Sequence, residues 1–539
     1  MATTTTDAAL RMRSRSPLAI AVGLVCSMRY PHVIAVLALP FALPHAQAAD
    51  WTFKPGLELR QSYSDNVRLQ TAGQEHADFV TEIVPNFSLT GVGRRLRVNA
   101  NYAVDGLLYQ RDSRLNNVLQ TMQGDARAEL VDDLLYFDAK ASIAQQSINA
   151  FGPAITDNIN AAVNRAEVRT LSLSPYVRHR FGNLASAEAR YSHDTFDSDN
   201  QQIASAKIDR IAVTLNSGSG FRNLGWGITH SQQRNDYGNS PSVDISSSLA
   251  SVRYAVTSTF AVTATAGYEK FGYVALTDRS EGGSGSIGFS WQPSSRTMVE
   301  ASAGRRFFGD TYTLKATHRA RRSVWTISYN EDITTTQSQA QTQTQARGGG
   351  ISSAGFLNQL WTNSIPDAAV RRDAVDAFIR DSGLPPSLSS GTNSFSNRFF
   401  LQKNLQASVA LNGIRNTVVL SAYNTRRTAQ SGLNTGTTPF GLVGLLDESD
   451  NIRQTGIQGV WSSRLSPNTN VNLSGGLSKV QASTGSREDR VKSVSLALTH
   501  RFSPKLRGAV ELRRMRQDSS LAGLDVRENA IAVSLSSTF

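Results

Sequence analysis

Residues 50–539 read as an all-β chain, a transmembrane antiparallel up-and-down β-barrel of about 22 strands, with a plausible range of roughly 18 to 24. Three observations predict it. Segments of about ten to fifteen residues alternate apolar with small or polar side chains from Trp51 to Phe539. The connections between these segments alternate short and long, as periplasmic turns and extracellular loops do. No stretch after the first 49 residues reads as a membrane helix, so a membrane-spanning chain of this kind must close its sheet to satisfy every backbone group.

Residues 1–49 read as a signal peptide. Arg11, Arg13, Arg15 and Arg29 precede the apolar run 33–43, and Ala46-Gln47-Ala48 is a small-residue cleavage signal. The mature chain then begins at Ala49 or Asp50. A second apolar run, 18–25, is separated from the first by Arg29-Tyr30-Pro31-His32, and a start at Met28 would give one compact leader. The alternative is a single transmembrane helix, but the run falls short of the roughly 20 residues that span hydrocarbon. Pro40 and Pro44 interrupt it as well.

The only cysteine, Cys26, lies in the leader, which leaves the mature chain no thiol for a disulfide, a metal or nucleophilic attack. A lipoprotein reading of Leu24-Val25-Cys26-Ser27 is weak, because Val25 stands where a small residue is expected. The net charge of +12 falls to +9 once the four arginines and Asp7 leave with the leader. The cations are spread among acids with no clustered basic face in the sequence, which argues against nucleic acid as a partner. A hydrophobic share of 40% and a mean hydropathy of −0.28 suit a barrel whose polar lumen offsets its lipid face.

Along the chain, Leu96, Val98, Ala100, Tyr102 and Val104 alternate with Arg97, Asn99, Asn101 and Ala103. Further strands are expected at 134–147, 166–181, 207–217, 259–271, 283–292, 401–411, 452–463, 469–481 and 491–502. Short turns fall at Gly91-Val92-Gly93-Arg94, Phe181-Gly182-Asn183, Leu411-Asn412-Gly413-Ile414 and Ser466-Pro467-Asn468, among others. Each supplies Gly, Pro, Asn or Ser where a tight hairpin needs it. Between them lie longer polar loops at 148–165, 195–206, 235–243, 273–282, 332–395 and 428–451. Tyr63, Phe79, Tyr109, Tyr136, Phe137, Phe181, Tyr191, Phe260, Tyr268, Trp291 and Phe502 sit near expected strand ends, as interfacial aromatic girdles do.

The last strand alternates Ile531, Val533 and Leu535 with Ala530, Ala532 and Ser534, and ends on Phe539. Such an aromatic-terminated strand resembles the closing strand that the barrel-assembly machinery reads, so Phe539 is the expected assembly signal. An ordinary amphipathic edge strand is the alternative.

One segment breaks the pattern. Residues 366–381, from Pro366 to Asp381, have helical spacing and are followed by Gly383. This short helix lies in the longest loop, 332–395, beside a Gln/Thr run and Gly348-Gly349-Gly350. A wide barrel of this strand number is plugged in known examples, so the loop is expected to fold inward and act as a constriction through Arg371, Arg372, Asp376 and Arg380. Val370, Ala374 and Phe378 would give the helix a narrow apolar stripe. The competing reading is a surface loop for adhesion or docking.

No catalytic constellation stands out. His179, His193, His230, His318 and His500 are scattered without metal-ligand spacing, and His193-Asp194 carries little information in a serine-rich chain. No phosphate or dinucleotide fingerprint can be placed, so no cofactor and no metal is expected. Asp65-Asn66 offers oxygen ligands at the end of the first strand, which polar turn chemistry explains equally. Alternation assigns Arg97, Arg178, Arg180, Glu188, Arg190, Arg501, Arg507, Glu511 and Arg513 to the lumen. An arginine-rich lumen would favour anionic or sugar-like solutes; the other reading is that these arginines pair with acids and brace the wall.

Trp51 with Pro55, Tyr63-Ser64-Asp65-Asn66-Val67, Ile83-Val84-Pro85, Tyr102, the run from Asp132-Asp133-Leu134 to Asp138, and Gln145-Gln146 together resemble the PEP-CTERM system-associated outer-membrane β-barrel family. The resemblance covers the first quarter to third of the chain. It implies the outer membrane of a Gram-negative bacterium and a link to exosortase and exopolysaccharide systems, with no catalytic or transport residue to carry over. The expected function is a passage or docking site for exopolysaccharide or its export proteins, with outer-membrane lipid as surroundings. A general diffusion porin is the second reading, and an outer-membrane enzyme the last.

Overall fold

The computed structural model describes residues 49–200, 203–238, 242–273, 280–339, 353–362, 365, 371, 374–375, 378–379, 394–395, 398–431, 450–483 and 486–539. The expected leader, residues 1–49, lies outside them apart from Ala49. The first strands are β1 (Asp50–Ser64), β2 (Asp78–Val92), β3 (Leu96–Tyr109), β4 (Asn117–Val131), β5 (Leu135–Ser147), β6 (Arg165–Phe181) and β7 (Ala185–Ser198). Then come β8 (Ala206–Ser217), β9 (Leu224–Asp236), β10 (Val243–Ala255), β11 (Phe260–Phe271), β12 (Glu281–Ser294), β13 (Thr297–Arg306), β14 (Gly309–Arg319) and β15 (Ser323–Thr334). The last are β16 (Phe400–Asn412), β17 (Asn416–Ala429), β18 (Ile452–Ser466), β19 (Thr469–Ala482), β20 (Glu488–Arg501), β21 (Leu506–Ser519) and β22 (Val526–Thr538).

Each strand pairs antiparallel with the next, and β22 returns to β1 from Gly56↔Thr538 to Ser64↔Ala530. Closure leaves no open edge. The strand number and the alternation of short and long connections agree with the sequence, with one exception on the long side: Phe307-Phe308 alone joins β13 to β14. Short turns use left-handed backbone where the strands must reverse tightly, at Gly182 (φ 55°) between β6 and β7 and at Asp133 (φ 52°) between β4 and β5. Prolines interrupt the ladder they cannot donate to. The β2–β3 register skips Val84-Pro85, and the β6–β7 register skips Ser174-Pro175.

Register fixes two faces. On the outward face, Ile287, Phe289 and Trp291 of β12 are exposed, while Ser286, Gly288 and Ser290 point inward. The same division runs round the barrel, with Leu59, Ile211, Ile228, Leu477 and Val533 exposed outside. Trp51, Trp226, Trp291, Trp325 and Trp461 all stand on outward positions at the end with the short turns, forming the collar that amphipathic indoles make at a membrane interface. Two expected girdle residues do not belong to it: Tyr109 and Tyr136 face inward, because β3 and β5 place them on the parity of Asp105 and Asp138. The Tyr109 hydroxyl finds a polar partner there, the Ile159 carbonyl, that lipid would not supply.

Among the described residues, helix occurs in the β15–β16 connection, at Asp450 before β18 and in a 3-10 turn, Ser113–Leu115. The eight-residue helix α1 spans Ser353–Leu360, ahead of the segment that the sequence marks as helical. Within that segment the described residues Arg371, Ala374, Val375, Phe378 and Ile379 are helical; Val370, Arg372, Asp376 and Arg380 lie outside the described residues.

Candidate functional site

Two connections from the loop end turn into the bore. The β15–β16 connection brings Leu357 and Leu360 of α1 and Val375 onto Val324, Ala410, Val419 and Val460, with Trp361, Phe378 and Ile379 packed alongside. Those four wall residues face inward near the short-turn end; Val324 is the second residue of β15, roughly 30 Å of strand below the point where the connection leaves. Trp361 meets Phe378 edge to face at 5.3 Å. Arg371 donates to Asn358 Oδ1 at 2.5 Å and to the Ile365 carbonyl at 2.7 Å, so it knits the insertion together rather than lining a passage.

The second inward segment, 148–164 between β5 and β6, reads in the sequence as one polar loop among several. Its Ile159 is fully buried with Val67, Val80, Leu107, Tyr109 and Leu119. Phe151 packs with Ile452 and Val480, and the Arg487 guanidinium lies 4.7 Å from its ring centre. The segment therefore reaches from the β3–β4 wall past the seam to β18–β20. Apolar Ile148, Phe151, Ile155 and Ile159 within an otherwise polar loop were the signal that it is not solvated. The two insertions meet where the Phe395 N–H donates to the Ile148 carbonyl at 3.0 Å.

Charge anchors this segment across the β1–β22 seam. Arg60 of β1 donates in bidentate fashion to Asp157 at 3.1 and 2.8 Å and reaches Glu511 of β21 at 3.1 Å. Arg513 of β21 pairs with the same Asp157 and, at 3.4 Å, with Glu528 of β22. Glu528 also accepts from Ser64 at 2.8 Å and Asn160 at 2.7 Å. Asn158 donates to Asp105 at 2.9 Å, and the Tyr109 hydroxyl to the Ile159 carbonyl at 2.8 Å. Burial alone would raise the Asp157 carboxyl, but Arg60 and Arg513 overcome it and hold the group well below the ordinary carboxylate range.

All nine wall positions singled out in the sequence occupy inward register positions, yet they do different things. Arg178 and Arg190 share Glu188 at 2.6 and 3.1 Å, and Arg190 and Arg127 share Asp138 at 3.2 and 2.9 Å. Beside them Tyr136 and Tyr176 stack at 5.1 Å and 15°, with the Arg190 guanidinium 3.7 Å from the Tyr176 ring centre. Arg501 donates to the Pro467 carbonyl at the short-turn rim. Arg507, the second residue of β21, stands at the same rim. Arg513 and Glu511 belong to the seam network. Arg97 and Arg180 are exposed and have no ion pair among the described residues. Bracing thus accounts for Arg178, Arg190 and Arg513, and an open basic wall for Arg97 and Arg180 at most.

The other candidates dissolve. His193 bonds Asp209 at 2.8 Å outside the barrel while Asp194 points inward, so alternation separates the pair. Asp65 accepts the Asn529 N–H at 2.7 Å and Asn66 donates to the Gln70 and Arg527 carbonyls, which is turn chemistry. Among the described residues no group of three metal-ligating side chains converges.

Fold and bore together define a closed antiparallel barrel with an apolar exterior and two loops inside it. No family model and no curated protein matches the chain. It is similar in architecture to a variant of the ferric enterobactin receptor PfeA from Pseudomonas aeruginosa, at 9% identity over 91% of this chain and 81% of that one, with a TM-score of 0.46. The siderophore receptor PirA from the same organism aligns at 10% identity over 90% and 80%, TM-score 0.38. OccK1 (OpdK), also from Pseudomonas aeruginosa, aligns at 10% identity over 90% and 99%, TM-score 0.34.

Proposed function

We propose that this chain is an outer-membrane barrel of a Gram-negative bacterium that serves as a loop-gated passage for envelope polysaccharide. The observation that carries the reading is the pair of joined insertions in the bore, anchored by Asp157 and by the α1 cluster. An open bore would need neither of them, nor the bond that joins them. The short turns at the tryptophan end support a periplasmic orientation for that end, with the long loops outside. The half-buried Tyr136 ring, stacked on Tyr176, suits a sugar, since an aromatic face takes the apolar side of a pyranose. The resemblance of residues 51–146 to exopolysaccharide-linked barrels supports the same solute class, and docking of an export protein at the loop end belongs to the same proposal.

A general diffusion porin is the second reading, favoured by the unpaired Arg97 and Arg180, which would attract small anions. Planar-bilayer conductance separates the two. Acidic oligosaccharide should block current from the periplasmic side at concentrations where sulfate and chloride do not. Steady ohmic conductance with no oligosaccharide effect would sink the passage reading and leave the porin.

A further inference from the structure

On the outward face of β16–β22, apolar side chains give way to cations just below the long-loop rim. The sequence spreads these residues over more than a hundred positions, and the sheet gathers them. Arg426 stands directly opposite Arg453, and Lys479 opposite Arg490. Arg516 stands between Lys492 and Arg527, directly opposite both. Cross-strand partners lie about 5 Å apart, and like charges in that arrangement repel. Two carboxylates share the face. Glu488 meets Lys479 at 2.8 Å and Arg490 at 2.7 Å, and Asp518 meets Arg516 at 2.5 Å and Lys492 at 3.9 Å. They leave Arg426, Arg453 and Arg527 with no ion pair among the described residues. By contrast, the outward positions of β1–β5 carry no lysine or arginine at all.

Immediately below the cations lies a groove of about 770 Å³ in the outer wall. Its floor is low because Ala407 pairs with Ala422, and its sides are Ile327, Leu405, Ile457 and Leu477. Lys479, Arg490 and Lys492 close its upper end. An apolar slot under a lattice of mutually repelling cations is complementary to one kind of molecule, an acyl chain joined to a headgroup with more than one phosphate.

The geometry points to a docking site for a multiply phosphorylated acyl glycolipid of the outer leaflet, its acyl chain in the Ala407–Ala422 groove and its phosphates bridging Arg453, Lys479, Arg490 and Arg516. Glu488 and Asp518 relieve only part of the cross-strand repulsion, the phosphates relieve the rest, and guanidinium groups suit phosphate through bidentate hydrogen bonds. The site rests on the barrel lying in an outer membrane, and the test keeps the two apart.

The full-length barrel, refolded in detergent, is titrated with lipid A bearing two phosphates, with its monophosphoryl form, and with phosphatidylglycerol, and binding is read by native mass spectrometry. Insertion into phosphatidylcholine vesicles and heat-modifiable migration report the barrel itself. The two-phosphate lipid should bind at least about tenfold tighter than either other lipid. Arg453→Gln, Lys479→Gln, Arg490→Gln and Arg516→Gln together should abolish that preference, and Lys207→Gln with Lys270→Gln on the far side should leave it intact. Should the fourfold variant not fold, Lys479→Gln with Arg490→Gln, which also relieves a like-charge pair, is read instead. Equal binding of the three lipids by the unaltered barrel, or an unchanged preference in a folded variant, overturns the site. An intact barrel with no lipid preference leaves the membrane reading standing while the site falls.

Discussion

Asp157 is shared by two guanidinium groups that approach it from β1 and β21, and removing it unties the segment from both, leaving Arg60 to Glu82 and Glu511 and Arg513 to Glu528. Asp157→Ala should therefore release residues 148–164, raising single-channel conductance while heat-modifiable assembly persists; unchanged conductance in an assembled variant would show that the segment does not obstruct flow. The pH dependence follows from the depressed carboxyl. Its contribution is fully present above the unfolded value near ~3.9 and is lost only as pH falls through the lower folded value. Conductance limited by this tie should be flat from about pH 8 to about 4 and rise only in stronger acid. On the wall, Arg97→Glu with Arg180→Glu should shift the reversal potential toward cations, because neither cation is neutralised by a neighbour. The same reversal at Arg190 or Arg513 should chiefly impair assembly.

The strands were legible because period-two alternation, turn residues and connection lengths all agree on them, and a barrel this regular offers no tertiary override. The interior was legible only in part. Phe378 was expected on an apolar stripe and does pack inward, but α1 escaped notice because it is short, carries Gly355 within it, and its apolar residues matter only against Val324 and Ala410. Segment 148–164 escaped for a related reason: Asp157 finds Arg513 far along the chain, and no local spacing encodes that meeting. Replacing residues 337–391 by a short Gly-Ser linker should uncover Val324, Val419 and Val460 and raise permeability with the barrel intact; unaltered antibiotic sensitivity would move the constriction to 148–164 alone. At the other end, Phe539 donates its N–H to the Pro55 carbonyl at 2.9 Å while the residue stays 66% exposed. Deleting it should lower the yield of assembled barrel in cells far more than the melting temperature of barrel refolded in detergent.

The molecule as a whole separates its tasks by face and by height. Outward alternation meets lipid, the inward parity carries ion pairs and aromatic stacks, and both inserted segments enter from one rim. Charge shows how much of this a linear reading loses. A sequence with its cations spread among acids becomes, once twenty-two registers are fixed, a wall with paired arginines inside and a one-sided basic lattice outside. Register is set by pairing, and pairing between β17 and β18 or β20 and β21 cannot be read from composition.

The Asp157 tie also sets an order of events. Its two cations sit at positions 60 and 513, so synthesis places the segment and its first partner early and withholds the second until the penultimate strand has emerged. Arg513 and Glu528 reach their places only when the last hairpin is inserted beside β1. The segment meets Arg60, Asp105 and Tyr109 among its early partners and gains Arg513 and Glu528 only as the cylinder is sealed, so that the bore is latched by the same step that completes the wall.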